Sequence, residues 1–327
     1  MIDRRAFLTR LALGSLVAPF AASAQPQPRA ARIGILSTVN PRSTPWGLAF
    51  KRRMDELGWI EGKNLTVDFL NAEGKTERLP DLAAELVRRK VDVISASGPE
   101  AQLQAARQAT STIPIVFVAV DYDPVERGHA AGLARPGGNI TGVFANQLEL
   151  TAKRLDLLKQ AIPKLKRVAV LWDAISADQL KAAQAAAASL GINLQALELR
   201  NFPYDYAAAF RAAAREKAEA IVPLMSPLKY SGQGQIVERA RKSRLPTISG
   251  LPGFAQAGGL LEYGASLPVM YRRLAEMTDR ILRGAKPADL PIEQPTVFEF
   301  TINRRTAKAL GIAIPRLLLQ RADQVIE

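Results

Sequence analysis

Short aliphatic segments alternate with amphipathic helical segments through the first half of the chain. Runs rich in valine, isoleucine and leucine predict strands at residues 32–36, 65–69, 91–95, 115–119 and 140–144. Between the first two runs, apolar side chains recur at helical spacing at Trp46, Phe50, Met54 and Leu57. Because strands that alternate with helices are typical of right-handed βαβ units, we expect an α/β fold with a parallel sheet.

A second series of the same design begins after the amphipathic stretch 150–162. Its predicted strands lie at residues 168–172, 194–199, 220–224, 247–249 and 260–263, with an extended segment at 296–301. Two similar α/β lobes joined by a hinge would form a cleft at the carboxyl ends of both sets of strands, where such sheets bind ligands. We therefore expect a binding site in the loops that follow the strands.

Length and composition exclude several classes of protein. A chain of 327 residues with 48% hydrophobic content is long enough for two lobes. Cysteine is absent from the sequence, which excludes disulfides, thiolate nucleophiles and cysteine-ligated zinc. The formal net charge of +13 comes from short clusters such as Lys51-Arg52-Arg53, scattered over several predicted helices. Such clusters are typical of solvated helix faces, and we expect no nucleic-acid partner.

The N-terminus resembles an export signal. Arg4, Arg5 and Arg10 surround a short apolar run at 11–22 that ends in the small residues Ala-Ser-Ala, the last of them Ala24. This pattern predicts a signal peptide at residues 1–24, cleaved near Ala24, and a mature protein in the periplasm. The pair Arg4-Arg5 also resembles a twin-arginine signal, so the general secretory (Sec) and twin-arginine routes both stay open.

In the first half, small and acidic residues follow two neighbouring predicted strands. Ser97 and Gly98 precede a predicted helix, whose N-terminal amides favour an anion, so we expect them to receive a ligand carboxylate; an ordinary capped helix is the alternative. Asp121, Tyr122 and Asp123 follow the next strand, and Asp121 is our candidate for a ligand ammonium. Asp123 is equally compatible with capping the helix that starts at Pro124.

In the second half, Trp172 and Asp173 end the first strand, in the position that the loop at Ser37 holds in the first half. A ring at Trp172 would stack on a ligand or pack in the core. Further candidate ligand contacts, by position alone, are Ser37, Met225, Ser226 and Tyr263.

Catalytic signatures are lacking in the sequence. His129 is the single histidine, and no Gly-x-Ser-x-Gly elbow or Walker phosphate loop occurs. The segment Gly232-Gln233-Gly234 lacks the third glycine of a dinucleotide-binding loop. We therefore expect no enzyme activity, no metal and no cofactor.

Several segments resemble one protein family. They are 57–65 (LGWIEGKNL), 72–74 (AEG), 78–80 (RLP), 112–117 (TIPIVF), 123–125 (DPV), 133–142 (LARPGGNITG), 286–291 (KPADLP) and 294–296 (QPT). Together they resemble the ABC transporter substrate-binding proteins of the tryptophan/tyrosine-binding type, which have the type I periplasmic-binding fold. At the cleft the chain departs from the family pattern, with Ser97-Gly98-Pro99-Glu100 in place of Gly-Thr-Pro-Ala and Asp121-Tyr122-Asp123 in place of a shorter turn.

The resemblance implies two lobes, one of residues 30–145 plus 262–296 and one of residues 146–261 plus 297–327. It further implies capture of an amino acid, aromatic or otherwise, or of a related small carboxylate or amide, and delivery to an ABC permease in the cytoplasmic membrane. Absence of a lipobox cysteine favours a protein free of the membrane, and we expect a monomer. A secreted α/β enzyme and a periplasmic sensor domain remain the alternative functions.

Overall fold

A computed structural model describes residues 30–120 and 122–327. The predicted signal peptide and Asp121 lie outside the described residues. The first lobe begins with strands and helices in alternation, namely β1 Ala31–Ser37, α1 Pro45–Glu56, β2 Leu65–Asn71, α2 Leu79–Arg88, β3 Val93–Ser95, α3 Glu100–Ala109, β4 Ile115–Ala119 and β5 Ile140–Phe144. These strands form a five-stranded sheet in the order β2-β1-β3-β4-β5, with every pair parallel.

The second lobe follows the same alternation. Its first elements are α4 Gln147–Ala161, β6 Arg167–Trp172, α5 Ala177–Ser189, β7 Asn193–Glu198, α6 Tyr206–Arg215, β8 Ala220–Pro223, α7 Pro227–Ser231, α8 Gln233–Lys242 and β9 Ile248–Ser249. The remaining elements of the chain are β10 Leu261–Ala265, α9 Leu267–Leu282, β11 Phe298–Asn303, α10 Arg304–Leu310, α11 Arg316–Arg321 and β12 Gln324–Ile326. Short 3₁₀ turns lie at Thr76–Arg78, Ala174–Ser176 and Pro287–Asp289.

The second sheet consists of two parts that meet edge to edge. Strands β7-β6-β8 are parallel, and β9-β10-β11-β12 continues from β8 through a parallel bridge between Ile221 and Thr247. Strand β10 pairs with β9 and, antiparallel, with β11. The lobe boundary predicted at residue 262 would divide β10 between the lobes. The pairing instead keeps β10 in the second sheet, so the chain returns to the first lobe near Ser266.

Helix α9 returns to the first lobe after β10. It packs along α1 and buries Met270 and Leu274 against Val116 and Val118 of the first sheet. The chain therefore crosses between the lobes three times, near residues 146, 266 and 297. The predicted α/β class with parallel strands in both lobes is confirmed, and β10 with β11 is the antiparallel pair of the second sheet.

Local signals explain where α1 begins and ends. The Thr44 side chain accepts a hydrogen bond from the Gly47 amide at 3.1 Å, and Pro45 occupies the first helical position. Gly58 follows the helix with a φ of 93°, a conformation that glycine adopts without strain. The amino end of α1 thus lies beside the loop that follows β1.

Among the described residues, none of the helices has both the length and the hydropathy that a membrane span requires.

Candidate binding cleft

A cavity of about 290 Å³ lies between the two lobes. The first lobe lines it with the loops after β1 and β3 and with α1, and the second lobe with the loops after β8 and β9. Its hydroxyl groups belong to Ser37, Thr38, Ser95, Ser97, Ser226, Tyr230 and Tyr271. Its remaining aromatic rings are Trp46, Phe50 and Trp59. Where both lobes line it, the cavity therefore lies at the carboxyl ends of the strands, and it combines apolar walls with a few polar groups.

Aromatic rings from both lobes meet over the cavity. Trp46 of α1 contacts Tyr230 of α7 edge to face, with ring centroids 4.7 Å apart, and Tyr271 of α9 lies 6.5 Å from Trp46. Burial raises the pKa of the Tyr230 and Tyr271 hydroxyls. Both hydroxyls are therefore protonated at neutral pH and can donate hydrogen bonds.

Ser97 and Gly98 line the cavity, but their polar groups also stabilise the loop. The Val118 amide donates to Ser97 Oγ at 3.1 Å, and the Gly98 amide donates to the Val118 carbonyl at 2.9 Å. Gly98 has a φ of 133°, and a Cβ atom there would lie 2.3 Å from Gln102 Oε1. The Gly98 amide is thus already bonded within the sheet, which differs from the free anion donor that we predicted.

Asp173 is the centre of a buried polar network in the second lobe. Its side chain is 2% exposed and accepts hydrogen bonds from Ser226 Oγ at 2.6 Å and Tyr204 Oη at 3.0 Å. Lys229 Nζ, which is fully buried, lies 2.7 Å from Asp173 Oδ2. Ser176 donates to the other carboxylate oxygen. Asp173 therefore fixes the positions of Ser226 and α7. It was predicted as a ligand contact, but it does not line the cavity.

The charges of this network follow from two opposing effects. Burial alone would raise the pKa of Asp173, but the Lys229 ammonium and the hydrogen bonds together hold that pKa below its ordinary value. Burial lowers the pKa of Lys229 to about 8, with Asp173 opposing that change. The pair is thus ionised at neutral pH.

Gln179 of α5 fixes the neighbouring residue, Met225, by two hydrogen bonds. Its Nε2 donates to the Met225 carbonyl at 2.9 Å, and its Oε1 accepts from the Met225 amide at 3.0 Å. Met225 and Ser226, both predicted as ligand contacts, therefore line the cavity in positions that buried groups of the second lobe determine.

Four predicted contacts lie elsewhere. Tyr122 is buried between the rings of Phe117 and His129, and Trp172 is half-buried against the core of the second lobe. Asp123 accepts hydrogen bonds from the two amides that follow Pro124, which is the capping alternative weighed above. Tyr263 stacks on Phe298. Of the predicted residues, the structure brings together Ser37, Ser97, Gly98, Met225 and Ser226 around the cavity.

The aromatic residues of the cavity were not predicted as a site. Trp46 and Phe50 recur at the spacing of core positions, and nothing in the sequence separates a ring that faces a cavity from a ring that faces a core. Lys229 is the one charged residue in the short segment 227–231. This isolated charge was the sequence signal that could have indicated a buried ion pair. His129 bonds Glu100 and Arg107, and no three metal-ligating side chains cluster anywhere in 30–120 or 122–327.

The family model of the ABC transporter substrate binding proteins matches residues 48–326. The chain therefore belongs to this family, a class that binds a transporter's solute, and the resemblance described above is confirmed. A tyrosine-binding protein from Clostridioides difficile is 27% identical over 278 residues, which cover 80% of this chain and 75% of that protein.

Two solved structures share the fold over nearly the whole chain. A conserved domain protein from Vibrio cholerae is 26% identical with a TM-score of 0.82, covering 91% of this chain and all of that one (100%). An ABC domain from Streptococcus pneumonia in complex with L-Trp is 25% identical with a TM-score of 0.80, covering 90% of this chain and 99% of that one.

Proposed function

We propose that this protein captures an aromatic amino acid, or a related small aromatic carboxylate or amide, in the cavity between its lobes and delivers it to an ABC permease. The observation that carries the proposal is the aromatic cavity itself, which both lobes line and whose serine and threonine hydroxyls lie at the strand ends. Small-molecule sites have this character, with largely apolar walls and a few polar groups that fix orientation. The tyrosine-binding relative and the L-Trp complex support the same class of solute.

Within this proposal, the Ser97 hydroxyl donates to the polar end of the solute, and the oxygens of Ser37 and Ser226, whose protons are donated to the Val39 carbonyl and to Asp173, accept from its ammonium or amide group. Charged side chains at the edge of the cavity pair with each other, Arg42 with Glu61 at 2.8 Å and Lys51 with Asp55 at 2.7 Å. Asp121 remains our candidate partner for a solute ammonium.

Closure of the lobes is the second part of the proposal. A solute binds one open lobe first, and the other lobe closes over it by rotation at the three crossings. The fully buried Arg154 joins two of these crossings, since its Nε donates to the Tyr263 carbonyl at 2.7 Å and its Nη2 donates to Gln147 Oε1 at 2.8 Å. Burial lowers the pKa of Arg154 to about 10, so the guanidinium stays charged at neutral pH.

The N-terminal pattern and the family together support export to the periplasm, by the Sec or the twin-arginine route, and action there as a free monomer.

Thermal unfolding of the mature protein with each of the twenty amino acids and a set of small aromatic carboxylates and amides tests the proposal. A solute at 100 times its Kd stabilises the folded state by about 2.7 kcal/mol, which is on the order of 5 °C in Tm for a chain of this size. We expect such a rise with an aromatic amino acid or with another small aromatic carboxylate or amide. A rise only with non-aromatic amino acids would contradict the proposed solute, and no rise with any solute would contradict capture itself.

An ion pair at the edge of the cleft predicts a modest effect on affinity. Arg127, in the loop after β4, pairs with Asp178 in the first turn of α5, so opening of the lobes separates them. Exposed pairs contribute roughly 0.2–1 kcal/mol, and we therefore expect Asp178→Asn to weaken solute binding up to about fivefold, less so at high salt. Titration calorimetry measures the change. The control is Asp156→Asn, which removes a similarly exposed pair with Lys153 inside the second lobe; equal losses in both variants would contradict the interpretation.

A further inference from the structure

Helix α1 stands away from the sheet that it covers. Residues Ile35 of β1 and Val67 of β2 point to the α1 side of the first sheet, yet both are only half-buried although β1 is an interior strand. Phe50, on the sheet side of α1, is half-buried as well. An interior strand covered by a helix ordinarily buries such side chains completely. A crevice therefore separates α1 from β1 and β2.

This α1 crevice, lined by Ile35, Phe50, Met54, Trp59, Leu65 and Val67, is continuous with the cavity between the lobes. Its inner end lies at Ser37, the last residue of β1, and its outer end at Leu65, the first residue of β2. Leu65 pairs with Ala31 at the start of β1. Six residues of strand separate that register position from Ser37, which corresponds to roughly 20 Å. The crevice is thus much longer than the side chain of an aromatic amino acid.

Polar contacts hold α1 against α9 and leave the crevice in place. Arg53 of α1 pairs with Glu276 of α9 at 2.9 Å, and Glu56 pairs with Arg272 at 3.1 Å. Trp59 is held by a hydrogen bond from its Nε1 to Asp279 at 2.8 Å. The side chains that line this apolar space lack the dispersion contacts that a closer helix would give them. The arrangement therefore favours an apolar group of the solute as the partner of these walls.

We propose that the α1 crevice is a subsite for the apolar end of an elongated aromatic acid or amide. This proposal rests on the proposed function and adds an orientation and a solute class. The polar end of the solute binds the hydroxyls at Ser37 and Ser97, its ring lies beside Trp46 and Phe50, and an apolar substituent on the far side of the ring extends toward Trp59 and Leu65. Solutes with a ring substituent are therefore bound at least as tightly as the unsubstituted amino acid.

The test compares L-tyrosine with O-benzyl-L-tyrosine, which carries a second ring at the far end, by titration calorimetry. We expect the wild-type protein to bind O-benzyl-L-tyrosine at least as tightly as L-tyrosine. Val67 lines the crevice, and it pairs with Ile33, which lies four residues before Ser37 at the inner end. Val67→Phe fills this space, so we expect it to weaken O-benzyl-L-tyrosine more than tenfold and L-tyrosine less than threefold. The matched control is Val269→Phe, at an exposed position of α9 outside the cavity lining, which should change neither affinity.

Fluorescence provides a measurement that does not depend on the folding of the filled variant. The sequence has three tryptophans, of which Trp59 lies in the crevice and Trp172 in the second lobe. Trp46 reports either solute, so we expect O-benzyl-L-tyrosine to change the emission of wild-type protein and of Trp172→Phe more than L-tyrosine does, and this difference between the two solutes to be largely lost in Trp59→Phe.

Binding of L-tyrosine without O-benzyl-L-tyrosine would overturn the subsite while leaving solute capture intact, as would equal losses of both solutes in Val67→Phe. Failure of both solutes, together with silence of all aromatic acids in thermal unfolding, would overturn the proposed function on which the subsite rests.

Discussion

Replacing Asp173 with alanine is expected to lower the free energy of unfolding by about 3–5 kcal/mol, because it leaves a buried ammonium without its partner. Asp173 is 2% exposed and Lys229 fully buried, with 2.7 Å between the carboxylate and the ammonium. Ser226 and Tyr204 lose their acceptor as well. Urea unfolding followed by circular dichroism measures the change. Since Ser226 lines the cavity, we also expect weaker solute binding in this variant.

The control for this prediction is the double variant Asp173→Leu with Lys229→Met. Replacing both charges by apolar groups of similar size removes the unpaired ammonium, and we expect most of the lost stability to return. A single-variant loss below about 1 kcal/mol, the range of an exposed pair, would contradict the buried arrangement.

The same pair determines a dependence on acid. Because the folded state lowers the pKa of Asp173, the unfolded chain binds more protons than the folded one below the unfolded pKa of about 3.9. The stability that Asp173 provides is therefore present above that pH and is lost as the pH falls through the folded pKa. We expect the double variant to lose less stability on acidification than the wild type.

Replacing Trp46 with alanine is expected to weaken binding of an aromatic solute by roughly 30-fold, about 2 kcal/mol, the size typical of a central aromatic contact. The ring is 8% exposed, lines the cavity and contacts Tyr230 across the cleft at 4.7 Å. Its removal deletes a wall for the solute and a contact between the closed lobes. Titration calorimetry with the best aromatic solute measures the effect.

Trp172→Ala is the matched control, since it removes the same ring from the core of the second lobe, away from the cavity. We expect that variant to lose stability but to keep its affinity within about threefold, below the range of a contact residue. A similar affinity loss in both variants would indicate a general effect of losing an indole ring and would contradict the assignment of Trp46.

Hydrophobic runs were sufficient to predict β1 to β11, because a buried parallel strand is a short run of aliphatic residues bounded by turns, but the short strand β12 was not predicted. The rule that ligands bind at strand ends then located Ser37, Ser97 and Ser226. The rule does not determine which way each side chain points. Trp172 and Tyr263 lie at or near strand ends but pack, half-buried, against the core of the second lobe.

Two features of the site depend on contacts between distant parts of the chain. Strand β10 belongs to the second sheet because it pairs with β9, and β11, more than thirty residues later in sequence, pairs with its other edge. Likewise, Lys229 is a surface residue by its type, and only the position of Asp173 behind α7 makes its burial acceptable. No local pattern reports either contact.

The triple crossing of the chain bears on the order in which the protein can fold during synthesis. Val93, Val116 and Val118 of the first sheet are covered by Met270, Leu274 and Met277 of α9. A nascent chain released only up to β10 has all five strands of that sheet but lacks this cover. The N-terminal lobe is therefore completed only after most of the C-terminal lobe has been translated, so neither lobe can mature as an independent, contiguous segment.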